Sequence, residues 1–169
     1  MKFRRILGLI LSLAMIPGLI ASGCTGQKGE GFAIYLTVRE NPGVWQPSES
    51  PDIQDTPVIS LSDIQAYDRN HHWLTLTSAA IERLAQLEVP VGGREFAVCV
   101  DREVIYTGAF WSPVSSLSYN GPVIVQPAKG QDSRVLTIEL GYPSSAYVTA
   151  SDPRSDPRIL AGLAGRLVG

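Results

Sequence analysis

Cysteine is nearly absent from this 169-residue chain, which holds only Cys24 and Cys99. One pair is the most that could form, so the disulfide framework of a small secreted scaffold is excluded. Lysine is almost as scarce, with only Lys2, Lys28 and Lys129. No window carries the basic run that would release phosphate counterions, so no nucleic-acid partner is expected. Histidine occurs only as the adjacent pair His71-His72. Neighbours on a strand project to opposite faces, and no His-x-x-x-His or Cys/His set completes a site, so no metal is expected. There is no glycine-rich phosphate loop and no Gly-x-Ser-x-Gly elbow, and no cofactor is expected. The chain is long enough for one modest core and too short for several full domains.

The charge that is present is unevenly placed. The formal balance is -2, from 14 Lys+Arg and 16 Asp+Glu. Residues 1–23 contribute Lys2, Arg4 and Arg5 and nothing acidic, so removing them leaves 11 basic groups against 16 acidic ones, a balance of −5. Those residues form a basic start, an apolar run from Ile6 to Ile20 broken at Pro17-Gly18, and small residues before Cys24. This is the layout of a cleaved export signal, and the break leaves the run short for a permanent span. The segment Ala21-Ser22-Gly23-Cys24 resembles the lipobox of bacterial lipoproteins, although Ala21 stands where that family more often has Leu. The resemblance implies that residues 1–23 are a signal peptide and that Cys24 becomes the lipidated N-terminus. The partner would then be a membrane, reached through the lipid on Cys24, with the protein on the extracytoplasmic side of the cell membrane or outer membrane.

After the lipidated tether at 24–31, the pattern predicts a single domain over 32–169. Phe32 to Glu40 alternates as a strand with one apolar face, and a Pro-rich surface loop containing Trp45 is expected at 41–57. Ile64 to Tyr67 and His72 to Thr77 read as strands around an Asp68-Arg69-Asn70 turn. A helix capped at Thr77-Ser78 should bury Ala80, Ile81, Leu84 and Leu87. Phe96 to Val100 is apolar on both faces, as a central strand is, and Asp101-Arg102-Glu103 reverses it into a hairpin. Cys99 in that strand reads as an inert packing thiol. Strands follow at Val123 to Val125 and Val135 to Leu140. Near the end, Ser-Asp-Pro-Arg occurs twice in succession, and the second copy places Asp156 at N-cap and Pro157 at the first position of a closing helix carrying Ile159, Leu160, Leu163 and Leu167. The predicted fold class is α+β: a single, mainly antiparallel sheet with one mid-chain and one C-terminal helix packed on it.

From Trp73 to Val125, the order runs Leu74-Thr75-Leu76-Thr77, a helix, Val91-Gly92-Gly93-Arg94, Phe96 to Asp101, Glu103 to Tyr106 and Gly121-Pro122-Val123-Ile124. This order resembles the head subdomain of the first periplasmic region of SecD, a subunit of the protein-export translocase. The resemblance implies a topology, and it carries no transport role. As a whole the chain also resembles small bacterial lipoproteins of undescribed activity.

Chemistry could reside in two places. The stretch Gly108 to Gly121 sets Phe110, Trp111 and Tyr119 among Ser112, Ser115, Ser116 and Ser118. Aromatic faces with short hydroxyls suit sugars, peptides or the edge strand of an envelope-protein partner or other ligand; alternatively the rings enter the core and the serines shape the crossing. The expected function is therefore a non-enzymatic, lipid-anchored binding module. The alternative is a small serine-type hydrolase that uses His71 or His72 as base with a loop serine, which requires those groups within hydrogen-bond reach in an open cleft.

Overall fold

A computed structural model describes residues 29–38, 51–149 and 151–169. Cys24, the first part of the tether, Trp45 and the loop prolines Pro42 and Pro47 lie outside the described residues. The described chain is built mostly of strands with two α-helices. They form β1 (Phe32–Leu36), β2 (Ile64–Asp68), β3 (Trp73–Leu76), α1 (Ser78–Ala85), β4 (Arg94–Val100) and β5 (Glu103–Trp111). After these come β6 (Tyr119–Val125), β7 (Val135–Thr137), β8 (Glu139–Tyr142), α2 (Pro157–Gly162) and β9 (Leu167–Val168).

The strands form two sheets where one was expected. The first runs β1-β4-β5-β6-β8 and the second β7-β3-β2-β9. The division falls inside the segment read as one strand, Val135 to Leu140. Leu136 pairs with Leu74 in the second sheet, whereas Leu140 pairs with Pro122 in the first. Between them Ile138 is buried, and its N–H donates to the His72 carbonyl at 3.0 Å. Bending there lets both sheets cover one core, which a single sheet with two short helices would leave half open. Pairing is not wholly antiparallel either: β5 and β6 run parallel, as do β2 and β9.

Each inner face supplies alternate residues to the shared core. Phe32, Ile34 and Leu36 come from β1, Phe96 and Val98 from β4, Tyr106 and Phe110 from β5, and Leu74, Leu76 and Tyr67 from the second sheet. Phe96 and Phe110 pack in a tilted pair with ring centroids 5.1 Å apart. Gly108 permits this, since a Cβ there would fall 2.4 Å from the Phe96 ring and 2.5 Å from the Pro122 carbonyl. α1 adds Ala80, Ile81 and Leu84, the predicted stripe, and the Thr77 hydroxyl caps it by accepting from Ala80 N–H at 3.3 Å.

β1 is buried on both faces, not one. Its outer residues Ala33 and Tyr35 join Ala97 and Cys99 in a second apolar cluster closed by Ile53 and Val104. Part of the expected Pro-rich loop therefore acts as sheet. Residues 52–59 lie along the β1 edge, with Val38 N–H donating to the Asp52 carbonyl, Gln54 N–H to the Leu36 carbonyl and Val58 N–H to the Ile34 carbonyl, at 2.8 to 2.9 Å. Pro51 falls just before these bonded positions and Pro57 between them, so neither removes a needed donor. Cys99 is fully buried and burial pushes its thiol up to about 11, which suits a packing residue.

The C-terminal element is shorter than expected. Asp156 caps α2 by accepting from Arg158 N–H at 2.8 Å, with Pro157 at the first turn as read from the sequence. The helix stops at Gly162, Gly165 turns the chain at φ +85, and Leu167 belongs to β9. Both copies of the Asp-Pro-Arg turn fold alike: each arginine donates its own N–H and two guanidinium N–H groups to the aspartate two residues before it. They differ in the remaining nitrogen, which goes to the Ile138 carbonyl from Arg154 and to Glu103 from Arg158. The first copy thus fastens the C-terminal segment to the bend between the sheets.

Candidate functional site

The connection from β5 to β6 must double back along the first sheet before β6 can start, because the two strands are parallel. Residues 112–118 make that crossing, and the serines shape it. Ser115 N–H donates to the Ser112 carbonyl at 3.1 Å, while the Ser115 hydroxyl donates to the Val91 carbonyl at 2.6 Å and accepts from Leu117 N–H at 3.2 Å. One hydroxyl therefore ties the crossing to the turn before β4.

That packing determines what the loop can present. Phe110, Trp111 and Tyr119 are buried, as are Ser112 and Ser115, whereas Ser116 is exposed. The rings proposed as contact surface are core. Trp111 stacks on Tyr119 at 5.3 Å and tilts against Tyr142 at 5.8 Å, forming the outer apolar cluster with Ala109 and Val123. Burial pushes the Tyr119 hydroxyl far above its ordinary value, with the Glu95 charge adding to it. Beneath the indole, Gly93 has φ +84, and a Cβ there would lie 2.5 Å from the Trp111 ring. The buried Trp111 Nε1 has no acceptor among the described residues. Besides Ser116 and Ser118, what reaches solvent is aliphatic: Val91 is 61% exposed, Val114 81% and Leu117 51%, with Pro90 and Pro113 exposed beside them. Periodicity does not mark these residues, since loop residues have no face. The signal that would have found them is the absence of any charged side chain between Glu103 and Lys129.

The histidines lie elsewhere, in the turn between β2 and β3, and not on a strand as expected. Asp68 organises the turn by accepting from Asn70 N–H at 2.8 Å and His71 N–H at 3.3 Å. His71 Nδ1 lies 2.8 Å from the Asp68 carboxylate, and its ring stacks on Trp73 with centroids 4.5 Å apart. His72 takes the left-handed conformation, φ 54, which turns its half-buried ring inward, with Nδ1 2.8 Å from the Tyr67 hydroxyl. Burial lowers the His72 pKa, and the nearby Arg154 charge lowers it further against the opposing Asp152 and Asp68. Burial likewise raises Tyr67 to about 12. Among the described residues neither histidine hydrogen-bonds a serine: their partners are Asp68 and Tyr67, while Ser115 is committed to Val91. The constellation that the hydrolase alternative requires is not assembled.

Among the described residues no group of three or more His, Cys, Asp or Glu is placed to hold a metal ion, and no helix is long and apolar enough to cross a membrane. An open cleft of about 380 Å³ lies between α1 and the 128–134 loop, lined by Ile81, Glu82, Ala85, Asp132 and Arg134. Comparison with protein-family models, curated proteins and solved structures returns no match.

Proposed function

We propose that this chain is a lipid-anchored extracytoplasmic module that binds another envelope component and carries out no reaction of its own. The observation that carries the reading is the distance in sequence between the lipobox-like Ala21-Ser22-Gly23-Cys24 and the fold. The described structure begins at Gly29, and by Gly31 the backbone is already bonded to the domain, Gly31 N–H donating to Asp101 at 2.7 Å. Cys24 thus lies within a few residues of the point where the fold takes hold, where an acyl anchor would hold the domain close to a bilayer. Two or more chains are needed for stable retention, since each buried CH₂ contributes about 0.8 kcal/mol and one chain alone is marginal. Metabolic labelling with palmitate tests the anchor. The wild-type chain should take up label and Cys24→Ser should lose it, with release from the membrane fraction; persistent labelling of Cys24→Ser would show that another residue is the acceptor.

A further inference from the structure

Residues 151–169 close the fold with little to hold them. α2 has six residues, well short of the length at which a helix stands alone, and β9 has two. The segment buries Ile159 and Leu163 in the core, and its ion pair from Arg158 to Glu103 is exposed and contributes little. Two further attachments meet at one histidine. At the first, the Ile138 peptide is shared: its N–H donates to the His72 carbonyl at 3.0 Å, and its carbonyl accepts from the Arg154 guanidinium at 2.6 Å. At the second, Tyr67 N–H donates to the Arg166 carbonyl at 2.8 Å, beside the pairs that seat β9 on β2. The Tyr67 hydroxyl is the group that lies 2.8 Å from His72 Nδ1. His72 therefore touches both attachments, one through its backbone and the other through its ring.

We propose that this cluster is an acid-sensitive catch: protonation of His72 releases residues 151–169 while the first sheet stays folded. A neutral imidazole with its proton on Nε2 accepts from the Tyr67 O–H, and a protonated one cannot. The hydroxyl of the buried Tyr67 then loses that acceptor, and an imidazolium stands near the Arg154 guanidinium. Asp152 before α2 and Asp68 on β2 favour the cation, but burial and Arg154 oppose it and prevail. Tyr67 and, from β5, Tyr106 stay neutral because burial raises both hydroxyls. His71, next in the turn, is directed to Asp68 and Trp73. Departure of the segment removes the Arg154 repulsion together with the weaker Asp152 attraction, and Asp68 remains. The released state thus takes up a proton more readily than the closed one. Above about pH 6.5 both states hold the ring neutral, and closure weakens as pH falls from there toward the lowered folded value. Each unit by which closure lowers the His72 pKa favours opening about tenfold.

Amide hydrogen exchange of the full chain at about pH 7.5 and about pH 5.5, corrected for intrinsic rates, reads the release by region. Amides of α2 and β9 should exchange faster than those of β4 and β5 at both values, because the segment opens without the sheet. Their opening should rise several-fold at the lower pH. His72→Asn suits the left-handed backbone and has no ring to protonate, so it should leave the segment equally protected at both. Exchange of α2 and β9 in step with β4 and β5, an opening indifferent to pH, or a pH response that persists in His72→Asn would each overturn the proposal. If His72→Asn is unprotected already at the higher pH, NMR titration of the wild-type imidazoles takes its place. The loss of protection should then follow the His72 resonance; a loss that follows His71, or begins only in the carboxylate range, would equally overturn it.

Discussion

At the scale of single residues, His72 carries the most specific constraint. Its left-handed backbone and inward ring place an imidazole against Tyr67 and near Arg154, and both burial and that guanidinium disfavour its protonation. Above the ordinary imidazole value of about 6.5, folded and unfolded chains both hold it neutral, and it adds no pH dependence. Below that value the unfolded chain takes the proton first, so stability falls as pH falls toward the lowered folded value. The carboxylates act separately and later. Asp152 is held below its ordinary 3.8 chiefly by Arg154, and Asp63 is lowered because bonds from Ser60 and Arg83 outweigh its burial, so their contributions are lost only below that value. Acid unfolding should therefore show an early slope beginning near pH 6.5. His72→Asn, which tolerates the left-handed conformation and cannot titrate, should flatten it. Urea midpoints measured across pH would check this, and an unchanged slope in His72→Asn would contradict the assignment.

At the scale of elements, what was legible followed periodicity and capping. α1 starts at Thr77-Ser78 with its stripe inward, β4 is central with both faces covered, and α2 is capped by Asp156-Pro157, all from signals local to the segment. What was not legible required knowledge of a distant neighbour. The β1 edge gains residues 52–59, α2 stops at Gly162 because the chain must reach β2, and the 135–142 strand bends to serve two sheets. Gln126 is a further case. Its side-chain amide donates to the carbonyls of Leu84 and Leu87, at 3.1 and 2.6 Å, and so satisfies the end of a helix some forty positions earlier. Gln126→Ala should cost about 1–2 kcal/mol, since partly buried carbonyls lose their donor. Gln126→Glu should cost at least as much, because a carboxylate there faces the negative end of the helix. Denaturant unfolding with an unchanged m-value would show that the loss is one of stability; a neutral Gln126→Ala would mean that the contact contributes nothing.

At the scale of the molecule, the candidate site was legible as a region and illegible as a surface. The stretch from Gly108 to Gly121 is indeed where the fold makes an unusual crossing, but its aromatic side chains serve the sheet's outer cluster and its aliphatic ones reach solvent. Composition alone suggests the reverse, because hydrophobicity scales cannot distinguish a buried Trp111 from an exposed Val114 within one uncharged run. The histidines misled in the same way: their adjacency was visible, while the turn that sends one to Asp68 and the other to Tyr67 was not. The proposed anchor gives the molecule a polarity, with attachment at the Asp101 end of the first sheet and the 112–118 crossing at the other. That polarity depends on Cys24 being the point of attachment. Mass spectrometry of the N-terminal peptide from protein isolated from its membrane tests it most directly. The account predicts a mature chain beginning at Cys24 and carrying diacylglyceryl and acyl mass; a chain that retains residues 1–23 with an unmodified Cys24 would contradict it.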